Sequence, residues 1–189
     1  MKMYPEQYQL SSAGPRFIQD IWGLIGSNTL LSVGDDQLVS QSLRFVSATI
    51  RTGFYKDMFS SRETISSIVE GVVVPNVNLR EHEVEQFEDD PLEFIRTDLS
   101  LTDLATRRHS AADVLQALVA SGFDKDTTEI VLEWVHKGLQ QYKADASGSW
   151  KSKDSAIYLL TAIAARGTTT QVRCHRLLVS WNLTRPSLE

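Results

Sequence analysis

The chain has 189 residues, a mass of 21.2 kDa and a formal net charge of -5 at pH 7. Its content of 42% hydrophobic and 23% charged residues is typical of one globular domain or a few structural repeats, and excludes disordered, collagenous and disulfide-rich proteins. The longest uncharged apolar run, 156–165, is shorter than the roughly 20 residues of a membrane-spanning helix, so no membrane insertion is expected. A pI near 5.4 and the lack of a basic stripe argue against a nucleic-acid partner.

The ends of the sequence and its cysteine content bear on the compartment. Residues 1–5 lack the apolar stretch of a secretory signal, and Cys174 is the only cysteine, so an intrachain disulfide is excluded. We therefore expect a reducing compartment, the cytoplasm or the nucleus.

Helical periodicity dominates the sequence, and alternation with a period of two is scarce, which predicts an all-α protein. The first predicted helix covers about residues 16–26, and its partner follows a turn at residues 34–36. Apolar residues in this partner recur at steps of four, three and four: Val39, Leu43, Val46 and Ile50.

A third helix is predicted to begin at a capping box formed by Ser60 and Glu63 and to end at Pro75. A polar loop should follow from about residue 76 to residue 100. We expect one short helix inside it, at about 91–98, because Asp90, a proline and a carboxylate form a helix-start signal there.

Three more helices are predicted in the second half of the chain. The fourth should run from near Thr102 to Gly122, and the fifth should open with a capping box of Asp126 and Glu129. After a Ser/Gly linker at 145–149, the sixth should cover about residues 151–166.

The starts of these helices are spaced like those of helical-hairpin repeats. Odd-numbered helices start near 16, 62 and 127, and even-numbered ones near 36, 103 and 151. Two of the four steps fit the period of roughly 40 to 47 residues of HEAT or armadillo repeats, and the other two are longer by about twenty residues. The simplest interpretation is an α-solenoid of three hairpins with a long insertion between the two helices of the middle one.

The predicted insertion is the acidic part of the chain. Seven acidic residues stand among thirteen, without a lysine or arginine: Glu81, Glu83, Glu85, Glu88, Asp89, Asp90 and Glu93. The remaining 17 acidic residues face 19 basic ones, so the acidity is local. Because the stretch lacks the ligand pattern of an EF-hand, we interpret it as a solvated or partner-facing surface.

No pattern indicates catalysis, a cofactor or a metal. The chain has no Gly-rich phosphate loop and no nucleophile motif, and the zinc-protease start at His82 fails because Gln86 replaces the second histidine. The partly aromatic stripes are interpreted as core rather than as cofactor contacts: Trp22, Trp134, Tyr142 and Tyr158. We therefore predict a non-enzymatic protein.

A basic doublet, Arg107 and Arg108, follows the acidic insertion. It is the natural counterweight to Glu88, Asp89 and Asp90. Surface ion pairs of this kind are worth about 0 to 1 kcal/mol each and would pin the insertion to its repeat.

Three segments, taken together, carry a more specific signal. They are residues 74–80 with 85–99 (VPNVNLR and EQFEDDPLEFIRTDL), 103–108 (DLATRR) and 150–159 (WKSKDSAIYL). In this order they resemble the middle of the exportins that recycle importin-alpha, the family of the cellular apoptosis susceptibility protein in the karyopherin-beta superfamily. The resemblance covers roughly residues 17–171.

This resemblance implies a superhelix of HEAT repeats with a long insertion inside a middle repeat, and receptors several times longer than this chain. We expect HEAT-like repeats at 16–53, at 61–121 with its insertion at 76–101, and at 126–166. Residues 1–15 and 167–189 are expected to diverge from the family.

The resemblance also implies a function. Such exportins bind Ran in its GTP form together with importin-alpha in the nucleus, return importin-alpha to the cytoplasm through the nuclear pore, and have FG nucleoporins as further candidate partners. Alternatives are an importin of the same superfamily, whose cargo competes with Ran-GTP, and a helical scaffold without dependence on Ran. The candidate partner-binding or hinge residues are Arg80, Glu88, Asp89, Asp90, Arg96, Asp98, Arg107 and Arg108.

Overall fold

The computed structural model describes residues 13–26, 30, 32–99 and 106–164, with only the backbone of residues 97 and 99. This part of the chain contains α-helices, short 3-10 turns and two wide π-type turns, and no strand. In chain order the α-helices are α1 (Ala13–Gly26), α2 (Asp36–Thr52), α3 (Arg62–Ile68), α4 (Val74–Val77), α5 (Glu81–Asp89), α6 (Pro91–Leu99), α7 (Arg107–Leu118), α8 (Asp124–Ala144) and α9 (Trp150–Ala164).

The first hairpin consists of α1 and α2. Apolar residues at helical spacing bury one face of each helix: Ile18, Ile25, Val39, Leu43, Val46 and Ile50. Trp22 of α1 stacks on Phe59, with ring centroids 6.3 Å apart. Gly53 ends α2 with a φ of 68°, a left-handed conformation that favours glycine.

The second hairpin pairs α7 with a longer helical segment made of α3, the π-type turn Val69–Val73 and α4. The prediction that Pro75 ends this segment is wrong. Pro75 lies in the first turn of α4, where its missing N–H costs no hydrogen bond, and the wide turn before it accommodates the interruption. The Nδ2 of Asn76 donates to the carbonyl of Val72 over 2.8 Å.

The cap of α3 also differs from the predicted one. The Oγ of Ser61, rather than that of Ser60, accepts a hydrogen bond from the N–H of Thr64 over 3.1 Å. The hydroxyl of Ser60 donates instead to the carbonyl of Asp57. Two serines in succession left the position of the cap open by one residue.

The insertion is a helical hairpin rather than a loop with one helix. The expected helix is present as α6, and the Oδ1 of Asp90 accepts from the N–H of Glu93 over 3.0 Å. The preceding helix, α5, was not predicted, because its only apolar residues are Val84 and Phe87. The ring of Phe87 meets that of Phe94 edge to face, 5.7 Å between centroids. Residues 81–99 are called the acidic hairpin below.

The third hairpin consists of α8 and α9, joined by the predicted linker at 145–149. The helices approach very closely at Gly138, where a Cβ atom would lie 2.8 Å from the carbonyl oxygen of Ser152. The predicted capping box of Asp126 and Glu129 is wrong, because α8 already begins at Asp124. Both carboxylates face Arg62 instead.

The three hairpins stack so that corresponding helices are neighbours. The second helices, α2, α7 and α9, pack in that order, while α1 contacts the turn Val69–Val73 and α3 contacts α8. Their buried aliphatic side chains form one continuous core. The predicted solenoid of three helical hairpins with an acidic insertion in the middle one is confirmed.

Gly122, with a φ of 92°, separates α7 from α8 as predicted. The start of α7 was predicted too early: Thr106 is in an extended conformation and its Oγ1 accepts from the N–H of His109, so the helix begins at Arg107. Several predictions concern residues outside the described ranges: a helix start near Thr102, a helix end at residue 166, and the segments 1–12 and 167–189 with Cys174. None of the described helices is both long and apolar enough to cross a membrane.

Candidate functional site

The basic doublet lies at the beginning of α7, beside the acidic hairpin. Arg107 and Arg108 are only 6% and 4% exposed. Consecutive residues of an α-helix point about 100° apart, so the two guanidinium groups leave the helix in different directions. Each therefore meets a different neighbouring hairpin.

Arg107 reaches the first hairpin. Its Nε donates to Oδ1 of Asp36 over 2.6 Å, its Nη1 to the carbonyl of Leu30 over 2.6 Å, and its Nη2 to the carbonyl of Ser32 over 3.1 Å. Three donors of one buried cation are thus used to hold the chain just before and at the start of α2. A buried guanidinium with so many partners anchors α7 to the first hairpin.

Arg80, the residue before α5, binds the same carboxylate. Its Nη1 and Nη2 donate to the two oxygens of Asp36 over 2.5 and 2.8 Å, and its Nη2 also donates to Glu83 over 3.0 Å. Burial opposes the ionisation of Asp36, but hydrogen bonds and charge from Arg80 and Arg107 outweigh it and hold the pKa of this carboxyl below its usual value. Asp36 is therefore an ionised link between two arginines.

Arg108 reaches the third hairpin and the end of the acidic hairpin. Its Nη2 donates to Asp154 over 2.6 Å, its Nη1 lies 3.7 Å from Asp98, and its guanidinium lies 4.0 Å from the ring centroid of Tyr158. The Nε atom has no hydrogen-bond partner in the described part of the chain. Burial raises the pKa of Asp98 and of Asp154, and the charge of Arg108 only partly offsets this.

The remaining candidate residues are exposed on the acidic hairpin. Glu88, Asp89 and Asp90 lie on the surface around the turn between α5 and α6, and Arg96 lies 3.8 Å from Glu93. A cavity of about 340 Å³ separates this hairpin from α7, and Asp89, Asp90 and Arg108 are among its walls.

The expected surface pairing of Arg107 and Arg108 with Glu88, Asp89 and Asp90 is wrong. The two arginines are buried, and the described carboxylates that they contact are Asp36, Asp98 and Asp154. Asp36 and Asp154 are 71 and 46 residues away from their arginines in sequence. Such pairings follow from the stacking of the hairpins, which a local motif does not encode.

Sequence reasoning therefore missed Asp36, Glu83, Asp154 and Tyr158 as members of this network. Tyr158 was interpreted as a core residue, and it is instead partly buried under a cation. Trp134 and Tyr142 are likewise partly buried, with the ammonium groups of Lys137 and Lys153 over their rings. A usable signal was the match at residues 150–159, which contains both Asp154 and Tyr158.

A second set of ion pairs joins the hairpins at the surface. Arg62 of α3 lies 3.4 Å from Asp126, 2.7 Å from Glu129 and 3.6 Å from Glu133, all on α8. The side chain of Arg62 is 45% exposed. Within the described ranges, no group of three or more His, Cys, Asp or Glu side chains is arranged to hold a metal ion.

Comparison with known proteins identifies the family to which these hairpins belong. The family model described as Cse1 matches residues 1–180. The chain belongs to the Cse1 family. The match is wider than residues 17–171, and it includes residues 1–15 and 167–180, which were expected to diverge.

Individual Cse1 relatives give the same result. Exportin-2 of Bos taurus and of Homo sapiens are each 38% identical over 166 residues, covering 88% of this chain and 17% of theirs. The importin alpha re-exporter of Saccharomyces cerevisiae (strain ATCC 204508 / S288c) is 38% identical over 177 residues, covering 90% of this chain and 18% of its own. This chain thus spans less than a fifth of the length of these relatives.

A solved structure supports the architecture. The exportin Cse1 in its cargo-free, cytoplasmic state matches with a TM-score of 0.79 and 38% identity, over 90% of this chain and 19% of that one. The fold is therefore a HEAT-repeat solenoid of the Cse1 type.

Proposed function

We propose that this chain is a non-enzymatic segment of a nuclear export receptor. The receptor would bind Ran-GTP and importin-alpha cooperatively and shuttle between nucleus and cytoplasm through the nuclear pore, with FG nucleoporins as further candidate partners. The observation that carries this proposal is the 38% identity to the importin alpha re-exporter over 90% of the chain. The hairpins at 16–53, 61–121 and 126–166 would be three of the receptor's HEAT repeats.

A solenoid can provide cooperativity between two ligands. Each repeat contacts only its neighbours, so small rotations at successive junctions add up to a change in curvature. If Ran-GTP favours a curvature that also suits importin-alpha, each ligand raises the affinity for the other by the same factor.

The candidate residues divide into two roles under this proposal. Glu88, Asp89, Asp90 and Arg96 are exposed, and would contact the charged surface of Ran or importin-alpha. The second group consists of Arg80, Asp98, Arg107 and Arg108, which would hold the acidic hairpin in the orientation that presents the first group.

Calorimetric titration of the 189-residue chain tests the proposal. After circular dichroism has established a cooperatively melting helical protein, Ran is added in complex with a non-hydrolysable GTP analogue or with GDP, with and without importin-alpha. Preference for the GTP form, increased by importin-alpha, is the expected result. Competition between the two ligands would indicate an importin, and binding that ignores the nucleotide, or no binding, would indicate a scaffold.

A charge-reversed variant tests the role of the acidic hairpin. We expect E88K/D89K/D90K to weaken the mutual enhancement of the two ligands. The matched control, D20K/D57K/E70K, reverses the charge of three exposed residues outside the hairpin and should leave the enhancement unchanged. Equal cooperativity in both variants would refute a role of this hairpin in binding.

A further inference from the structure

Both ends of the acidic hairpin are attached to the arginine doublet. Arg80, immediately before α5, shares the carboxylate of Asp36 with Arg107. Asp98, near the end of α6, lies 3.7 Å from Arg108. The two ends of the insertion thus meet two consecutive residues of α7.

The same two arginines hold the hairpins on either side. Arg107 binds two carbonyl groups and one carboxylate of the first hairpin region, and Arg108 binds Asp154 and Tyr158 of the third. The doublet therefore connects four parts of the molecule, namely the acidic hairpin and all three stacked hairpins.

We infer that Arg107 and Arg108 form a two-sided clamp that couples the position of the acidic hairpin to the relative orientation of the three repeats. The clamp is a property of the chain by itself and goes beyond the proposed binding of Ran and importin-alpha. Because both guanidinium groups are buried, a displaced partner is not replaced freely by water. Arg108 already has one donor without a partner, so losing Asp98 or Asp154 would leave it still less satisfied.

The coupling has a direction that can be examined. A hairpin that moves away takes Asp98 from Arg108, and Arg108 then settles differently against Asp154 and Tyr158. By reciprocity, a change at Asp154 must alter the seating of the acidic hairpin, which Asp154 does not itself need to touch. Asp154 is in this sense a positioning residue for the hairpin.

Hydrogen exchange of the complete, ligand-free chain tests the clamp. In D154N, we expect the amides of α5 and α6 to exchange severalfold faster relative to the buried amides of α2, which report global opening. The matched control is R62Q, which removes an exposed arginine that also joins the second and third hairpins and should leave this ratio unchanged. Faster exchange confined to α9 in D154N would overturn the inference.

Two further variants decide the outcome where D154N does not fold. D154E retains the charge and adds one methylene group, so it should shift the exchange ratio of the acidic hairpin in the same direction by less. D98N, altered in the hairpin, should accelerate exchange in the first turns of α9. An unchanged ratio in both folded variants would refute the clamp, whatever the chain does with Ran or importin-alpha.

Discussion

Two arginine-centred clusters connect the repeats of this solenoid, and they differ in burial. Arg107 and Arg108 are at most 6% exposed, whereas the side chain of Arg62 is 45% exposed. Both clusters contain short contacts to carboxylates, so distance alone does not separate them. What differs is the replacement available after a pair is broken: water for Arg62, and nothing of equal strength for the buried doublet.

The largest effect is expected at Arg107. R107Q removes the charge while Asp36 and the carbonyls of Leu30 and Ser32 remain beside it, so the free energy of unfolding should fall by about 3 to 5 kcal/mol. Urea denaturation followed by circular dichroism measures the change. A loss below about 1 kcal/mol would place Arg107 in the same class as an exposed arginine.

A smaller effect is expected at Tyr158, whose ring lies under the guanidinium of Arg108. Y158L removes the aromatic face and should destabilise the fold by about 1 to 2 kcal/mol, the range of a partly desolvated cation–π contact. Y158F retains the ring and is the control, expected to stay close to the unmodified protein in the same denaturation experiment. Equal losses in both variants would assign the effect to the hydroxyl group.

The exposed cluster should contribute least to global stability. R62Q is expected to change the free energy of unfolding by only about 0 to 1 kcal/mol, although Arg62 lies near three carboxylates. The difference between R62Q and the unmodified chain should shrink further as salt is added, because exposed charges are screened. A loss comparable with that of R107Q would remove the distinction between the two clusters.

Acidification should separate the two sides of the buried doublet without first lowering global stability. Burial raises the pKa of Asp98 and Asp154, so on the Arg108 side the folded protein takes up protons above the usual value of 3.8, and this uptake favours the folded state. At Asp36, burial is outweighed by Arg80 and Arg107 and the pKa is lowered. Its stabilisation is present above the unfolded value and is lost as the pH falls through the lower folded value.

Hydrogen exchange corrected for intrinsic rates, measured between about pH 7 and pH 4, checks this order. The acidic hairpin should lose protection relative to α2 before the urea midpoint falls. H109Q serves as the control, because it removes the titrating imidazole near Asp98. Simultaneous loss of hairpin protection and global stability would contradict the expected order.

The sequence predicted the repeating architecture because the repeat is written in local periodicity. The apolar positions from Val39 to Ile50 are buried as expected, and the long helix steps located the insertion. Helix ends were less predictable where adjacent residues offer the same chemistry, as with Ser60 and Ser61. The π-type turn before Pro75 reflects packing of the surrounding hairpin, and no residue pattern announced it.

The candidate site was predictable in its residues and unpredictable in its pairings. Arg107 and Arg108 were singled out correctly as partners of carboxylates, but proximity in sequence favoured Glu88, Asp89 and Asp90. Asp36 and Asp154 come from other repeats, and their positions depend on how the hairpins stack. A long-range pairing of this kind requires the tertiary structure.

The close approach at Gly138 has a mechanical consequence. Since the backbone of α9 fills the space that a methyl group would need, α8 and α9 have little freedom to slide over each other. Elastic deformation of the molecule should therefore concentrate between neighbouring hairpins, with the α8–α9 pair moving as a stiff lever arm. In a longer receptor, such a lever would convert a rotation of a few degrees at one junction into a much larger displacement at a distant end.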